Sequence, residues 1–527
     1  MWTLAFALIP AFLASLYNYA PDVPLARLDY ALVVGRREGS VDKFLGIKFA
    51  EAPRFKLPIP VSSYSGYVQA RSYGAACPQQ KYSPTAPQIQ LLPPPEVQSE
   101  DCLTVNIMVP KGTKRSDKLP VAVYIHGGAL QAGSAQEYDY SGAHRVERSI
   151  ELGLPFIQVS INYRVSAYGF LSGLEVAEEE VANIGLYDQR EALRWVNKYI
   201  SAFGGDPSRV TLNGASAGAI SVAYQMLAFG GNPENLFQAA FPQSGAIIPS
   251  PPMAKGQVHF DALVARTGCA SSTKKLECLR KVPLDALRAA VDGSPDIFSY
   301  SGGAITWLPV VDGKFVQDSP YQLVLDGKVA KIPIVTGVMD DEGTVFSFQQ
   351  ANQTADEHFE EWVRKFWFPN ATPEELEPLW KAYPSTHSEG SPFDTGNESV
   401  LYPQFKRVAA FQGDALFQAP RRFLTQNLAK RKEHKIWVYM SKRNKNFPHL
   451  GSFHGSDFFL GFLDDFFIRF VSNHDPNSGE GVFWPEYTAE SPDMYTFHDA
   501  GECYLSKDNY REQAMNDLTN IFRVHPL

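Results

Sequence analysis

The chain has 527 residues, of which 44% are hydrophobic and 13% aromatic, and its formal net charge is −9. That apolar content excludes a disordered chain, and an acidic balance with no basic stripe excludes nucleic acid as a partner. The only long apolar run, residues 3–16 (TLAFALIPAFLASL), is too short to span a bilayer comfortably, so an integral membrane protein with several spans is excluded as well.

Taken in chain order, the first element is that run, which fits the h-region of a secretory signal peptide over residues 1–18. Residues 19–527 then form the mature chain, and no Pro/Gly/Ser linker divides it, so one domain with long insertions is expected. The first insertion runs from Cys77 to Cys102 and contains PQIQLLPPP. Of the five cysteines, Cys77, Cys102, Cys269 and Cys278 fall into close sequence pairs, as local disulfides of an oxidising compartment do, and Cys503 is left over. With no Cys-x-x-Cys and no histidine at finger spacing, no metal is expected. Three Asn-x-Ser/Thr sequons, at Asn352, Asn370 and Asn397, add candidate glycosylation sites.

Short apolar runs at residues 121–125, 156–162, 210–212, 239–241, 332–336 and 436–440 read as buried parallel strands. Between them, residues 191–203 place Leu193, Val196, Ile200 and Phe203 on one helical face. Asp188, three residues before Glu191, has the spacing of a capping box, and Gly204-Gly205-Asp206-Pro207 stops the helix. Residues 345–430 are mostly helical by pattern. Alternating strands and helices predict an α/β fold: a large, mostly parallel central sheet with helices on both faces.

The chemistry concentrates at strand ends. The strand at 210–212 runs into Gly214-Ala215-Ser216-Ala217-Gly218, followed by an apolar helix at 219–229. Gly-x-Ser-x-Gly between strand and helix exposes the serine hydroxyl on a sharp turn, with the helix N-terminus aimed at developing negative charge. Ser216 is therefore the candidate nucleophile and the Ala217 N–H a candidate oxyanion donor. Ser244, in Gln243-Ser244-Gly245, lacks the elbow glycine and reads as structural, as does Asp312. A Gly-rich loop, His126-Gly127-Gly128-Ala129, follows the strand at 121–125. Activating a serine also takes a histidine base and a carboxylate to orient it. Asp340, Asp341 and Glu342 adjoin after residues 332–336, and His449, His454 and His474 follow residues 436–440, so spacing alone leaves both choices open.

The elbow, together with Glu100-Asp101-Cys102-Leu103-Thr104-Val105-Asn106-Ile107, Asn162-Tyr163-Arg164 and the run NIGLYDQR at 183–190, resembles the type-B carboxylesterases and lipases, the α/β-hydrolase group that includes cholinesterases. GSPFDTG at 390–396 and WPEYT at 484–488 resemble secreted fungal lipases of the Candida and Geotrichum type. The likeness runs over nearly the whole chain after the signal. It departs at Ala215, where the family usually carries Glu.

The resemblance implies an α/β-hydrolase fold and a secreted serine hydrolase of carboxylic esters with lipophilic acid or alcohol parts. It selects Glu342 through its Asp-Glu-Gly step and His454 through Gly451-Ser452-Phe453-His454-Gly455-Ser456-Asp457, and leaves Asp340 and Asp341 as polar loop residues. It assigns Gly128 and Ala129 as further oxyanion donors and His126 as structural. It pairs Cys77 with Cys102 and Cys269 with Cys278, with Cys503 free, and makes residues 77–102 a lid-like loop carrying Ile89, Leu91 and Leu92. The implied partners are a lipophilic ester and a lipid interface; no oligomeric state is implied. No cofactor is expected, because His-Glu-x-x-His, a phosphate loop and a dinucleotide fingerprint are all missing from the sequence. An esterase for short soluble esters is the competing activity, and a non-catalytic, cholinesterase-like binding protein the competing class.

Overall fold

The computed structural model describes residues 23–83, 95–457, 461–477 and 482–527. The expected signal segment and the apolar residues Ile89, Leu91 and Leu92 lie outside them. The core is an eleven-stranded sheet. Its strands in chain order are β1 (Arg36–Glu38), β2 (Val41–Lys48), β3 (Thr104–Pro110), β4 (Leu119–Ile125), β5 (Ile157–Ile161), β6 (Gly205–Ala215), β7 (Ala239–Gln243), β8 (Ile334–Met339), β9 (Ile436–Ser441), β10 (Asp493–Phe497) and β11 (Cys503–Lys507). Across the sheet they lie in the order β1-β2-β3-β5-β4-β6-β7-β8-β9-β10-β11. From β5 to β10 neighbours run parallel, and both ends of the sheet are antiparallel.

The six expected strands are all present, because runs such as Ile334–Met339 and Ile436–Ser441 are buried along their whole length, as strands covered by helices on both faces must be. The antiparallel strands escape the sequence pattern because polar residues interrupt them, charged ones on β1 and β2 and the neutral Asn106 on β3. Lys43 on β2 is buried yet paired with Glu38 and Asp139, and Arg37 holds Asp42. On β3, Asn106 is buried, its amide satisfied by the Gly46 N–H at 2.9 Å and by the Ser160 hydroxyl at 3.3 Å.

The helix expected over 191–203 begins earlier, as α1 (Ile184–Tyr199), and closes through a 3-10 turn at Ile200–Phe203. Asp188 is consequently no cap. It lies inside α1, fully buried, where its carboxylate takes a two-pronged contact from Arg164 at 2.6 and 2.8 Å plus the Arg164 backbone N–H at 3.0 Å. The residue preceding the helix is Asn183, in the left-handed region. Disulfides join Cys77 to Cys102 and Cys269 to Cys278, and Cys503 on β11 is a free thiol. Among the described residues no helix is long and apolar enough to cross a membrane.

Parallel strands place their C-terminal ends along one edge of the sheet, where ligand sites of open α/β sheets form. The loops after β4, β6, β8 and β9 carry His126–Ala129, Ser216, Glu342 and His454 respectively.

Candidate active site

Ser216 sits between β6 and α2 (Ala217–Gly231) with φ 58° and ψ −126°. A non-glycine residue held there costs about 1–3 kcal/mol, so the surroundings must over-determine the turn. They do: the Ser216 N–H donates to the Gln243 carbonyl at 2.9 Å, and every residue of α2 from Ala217 to Ala228 is buried. A side chain at Gly218 would put its Cβ 2.0 Å from the Ile125 carbonyl oxygen, so only glycine lets the first turn of α2 press against the end of β4. Gly127 is similar: its missing Cβ would fall 3.2 Å from the Ser216 Cβ, which brings the loop after β4 against the serine. Ala217 opens the helix, where backbone N–H groups have no intrahelical acceptor.

In that loop His126 is buried and stacks on Tyr163 with centroids 4.2 Å apart, its Nδ1 3.0 Å from the Gly127 carbonyl. Burial pushes its pKa down to about 4, so it stays neutral and belongs to the scaffold. Gly128, Ala129 and Leu130 then take successive positive φ values of 98°, 52° and 61°.

The three adjoining carboxylates separate cleanly. Glu342 is buried; its Oε2 lies 2.5 Å from Nδ1 of His454, and its Oε1 accepts the Met339 N–H at 2.7 Å. The His454 ring faces Phe417 and Phe346 at 4.4 and 5.3 Å. Asp340 and Asp341 are not ordinary polar loop residues; both are buried in an ion network. Asp341 accepts from Lys445 Nζ at 2.6 Å, the Phe393 N–H at 2.7 Å, the Ser452 N–H at 2.8 Å and the Ser391 hydroxyl at 3.1 Å. Burial, and after it the Asp340 charge, raises its pKa to about 6. Asp340 is also penalised by burial, but Lys445, Lys442 and Arg511 outweigh that and hold its pKa below the usual carboxylate value.

The other histidines fall elsewhere. His474 ends the helix Asp464–Asn473, whose Ser472 carbonyl accepts from Arg209 near the start of β6, the end opposite Ser216. His449 has no carboxylate partner among the described residues. Ser244 donates its N–H to the Gly337 carbonyl at 2.9 Å, and its hydroxyl finds no partner among the described residues. Asp312 closes a turn by accepting the Lys314 and Val316 N–H groups at 3.1 and 2.9 Å.

Two residues that motif reading passed over connect the parts. Gln243 pairs with Ala215 across β6 and β7, and its Nε2 donates to Asp457 at 3.2 Å. Asp457, three residues after His454, also accepts the Tyr439 hydroxyl at 3.1 Å. The loop carrying His454 is thereby tied to the strand beside the Ser216 turn. Asp457 is buried with its pKa raised by burial and next by Glu342. Its place at the end of the histidine motif was the one available signal. The sum is a strained serine at a helix N-terminus, a carboxylate-held imidazole and a glycine loop, a set suited to nucleophilic acyl transfer.

Residues 22–516 match the family model described as "Carboxylesterase family". The chain is 37% identical to "Lipase 4" of Diutina rugosa over 95% of this chain and 96% of the relative. It is 39% identical to "Secreted lipase 1" of Botryotinia fuckeliana, covering 89% of this chain and 88% of that one. Among solved structures, Aspergillus niger EstA superposes with a TM-score of 0.82 at 27% identity, covering 96% and 98% of the two chains.

Proposed function

The chain belongs to the carboxylesterase family and is a carboxylic ester hydrolase, and from that premise we propose that it is secreted and cleaves esters of lipophilic acids or alcohols through an acyl-enzyme on Ser216. His454 takes the proton of the Ser216 hydroxyl as Oγ attacks the ester carbonyl. Glu342 holds the imidazole in the tautomer that presents a free Nε2, and stabilises the imidazolium once it forms. The N–H groups of Gly128, Ala129 and Ala217 receive the carbonyl oxygen as it becomes an oxyanion. His454 then returns the proton to the leaving alcohol. A water deprotonated by the same imidazole attacks the acyl-enzyme and releases the acid.

The observation that carries this reading is the 2.5 Å contact between Glu342 and His454, on a loop tied through Asp457 and Gln243 to the strand beside Ser216. Secretion is supported by the names of secreted relatives, the two disulfides and the exposed setting of Asn352, Asn370 and Asn397, which we take as glycan acceptors. The lipophilic substrate is supported by the relatives named lipases.

The test combines a label with a substrate series. A fluorophosphonate should label Ser216, and Ser216→Ala should abolish labelling and hydrolysis while Ser244→Ala preserves both. Across p-nitrophenyl acetate, butyrate, octanoate and palmitate, kcat/KM should rise to medium or long chains, since each buried methylene contributes about 0.8 kcal/mol where its burial persists in the transition state. A steady fall from acetate onward would establish a short-chain esterase instead.

A further inference from the structure

We propose that Tyr82 is a positioning residue for ester hydrolysis: its hydroxyl orients the Gly128–Ala129 peptide so that the Ala129 N–H faces the developing oxyanion. The inference rests on the assignment of Ala129 as an oxyanion donor. The Tyr82 hydroxyl donates to the Gly128 carbonyl at 2.8 Å. In a trans peptide the C=O and the following N–H point in opposite directions, so a carbonyl held on the Tyr82 side turns the Ala129 N–H to the other. The same oxygen already accepts the Gln131 N–H at 2.8 Å and the Ala132 N–H at 3.0 Å, which is enough to satisfy a carbonyl. A third donor adds no needed partner. It polarises the amide and so strengthens the N–H at its other end. It also braces a segment in which Ala129 and Leu130 both hold positive φ.

The phenol is itself fixed from several directions. Lys81 N–H donates to Asp292 at 2.8 Å, and Ser83 donates to Asp296 through its hydroxyl at 2.6 Å and its N–H at 3.1 Å, so the residues on both sides of Tyr82 are pinned. The Tyr82 ring meets Phe298 edge-on at 5.2 Å. Gln80 N–H donates to the Gln131 carbonyl at 3.0 Å, which ties this segment directly to the loop it braces. Gln131, fully buried, accepts the Ile297 N–H at 3.0 Å, which closes the circuit. Among the described residues none of these contacts involves Ser216, His454 or Glu342, and the route from the Tyr82 hydroxyl to the reaction is the peptide it holds.

Tyr82→Phe removes the hydroxyl and keeps the ring. Loss of a direct oxyanion donor costs about 10²–10³ in kcat, and loss of a brace behind one should cost less, about tenfold. With enzyme concentration set by fluorophosphonate titration, kcat should fall about tenfold while KM stays within twofold. An alkyl trifluoromethyl ketone, which forms an oxyanion-bearing adduct with the serine, should bind about tenfold more weakly. The alkyl methyl ketone of equal length, which fills the site without that charge, should bind unchanged. Tyr82→Leu, which also alters ring packing, should show the same kcat loss whatever its stability. Wild-type kcat in Tyr82→Phe, or equal weakening of both ketones, overturns the inference while labelling at Ser216 leaves the proposed function standing. A label that maps to another residue overturns both.

Discussion

Lys445 holds together the two carboxylates that precede Glu342, and Lys445→Met should be destabilising in a strongly pH-dependent way. Its ammonium lies 2.9 Å from Asp340 and 2.6 Å from Asp341, and its side chain is only 11% exposed, so solvent screening is slight. Stranding one partner of a buried pair costs about 3–5 kcal/mol. Asp340 would keep Lys442 at 3.5 Å and Arg511 at 4.0 Å, whereas Asp341 would keep hydrogen bonds but no contacting cation. The lower end, about 3 kcal/mol at pH 8, is therefore expected. The Asp341 carboxyl titrates at about 6 in the folded chain, above its unfolded value of about 3.9. A carboxyl raised by folding favours the folded state in its protonated form. That contribution is fully present below the unfolded pKa and is lost as pH rises through the folded one. At pH 5 Asp341 is largely protonated with or without Lys445, so the deficit should shrink there to about 1 kcal/mol, the worth of a lost hydrogen bond, while at pH 8 the variant meets either an unpaired carboxylate or the cost of protonating it. Urea unfolding followed by tryptophan fluorescence at pH 5 and pH 8 reads the difference. Asp341→Asn should also rescue Lys445→Met at pH 8. A deficit equal at both pH values, or no rescue, would refute the argument.

Glu342→Gln should reduce kcat about 10⁴-fold, because an amide donor facing Nδ1 imposes the wrong tautomer and removes the imidazolium's counter-charge; Asp341→Asn should stay within about tenfold of wild type, and comparable losses would leave the acid unassigned. Asp188→Ala strands the buried Arg164 guanidinium, whose remaining partners are the Pro53 and Lys56 carbonyls. It should cost about 3–5 kcal/mol, read as a lower urea midpoint at unchanged slope.

How much was legible in advance follows from how locally each feature is encoded. Ser216 and Ala217 are announced by five consecutive residues, because the elbow is a local turn whose glycines are needed for close approach. The buried parallel strands announce themselves by short, mainly apolar runs. The histidine and the acid are only half local. Spacing left three carboxylates and three histidines open, the family resemblance selected Glu342 and His454, and the fold sets those two against each other and carries His474 to the opposite end of the sheet. Least legible were the charges that changed role on burial. Asp188 has the spacing of a cap and instead lies inside α1 against Arg164; Asp340 and Asp341 read as loop residues and instead anchor the histidine loop through Lys445 and Ser452. Periodicity reports which face of an element is apolar. It carries no information about which distant residue meets a buried charge, since partners such as Asp341 and Lys445, 104 positions apart, are chosen by the packing of whole strands and loops.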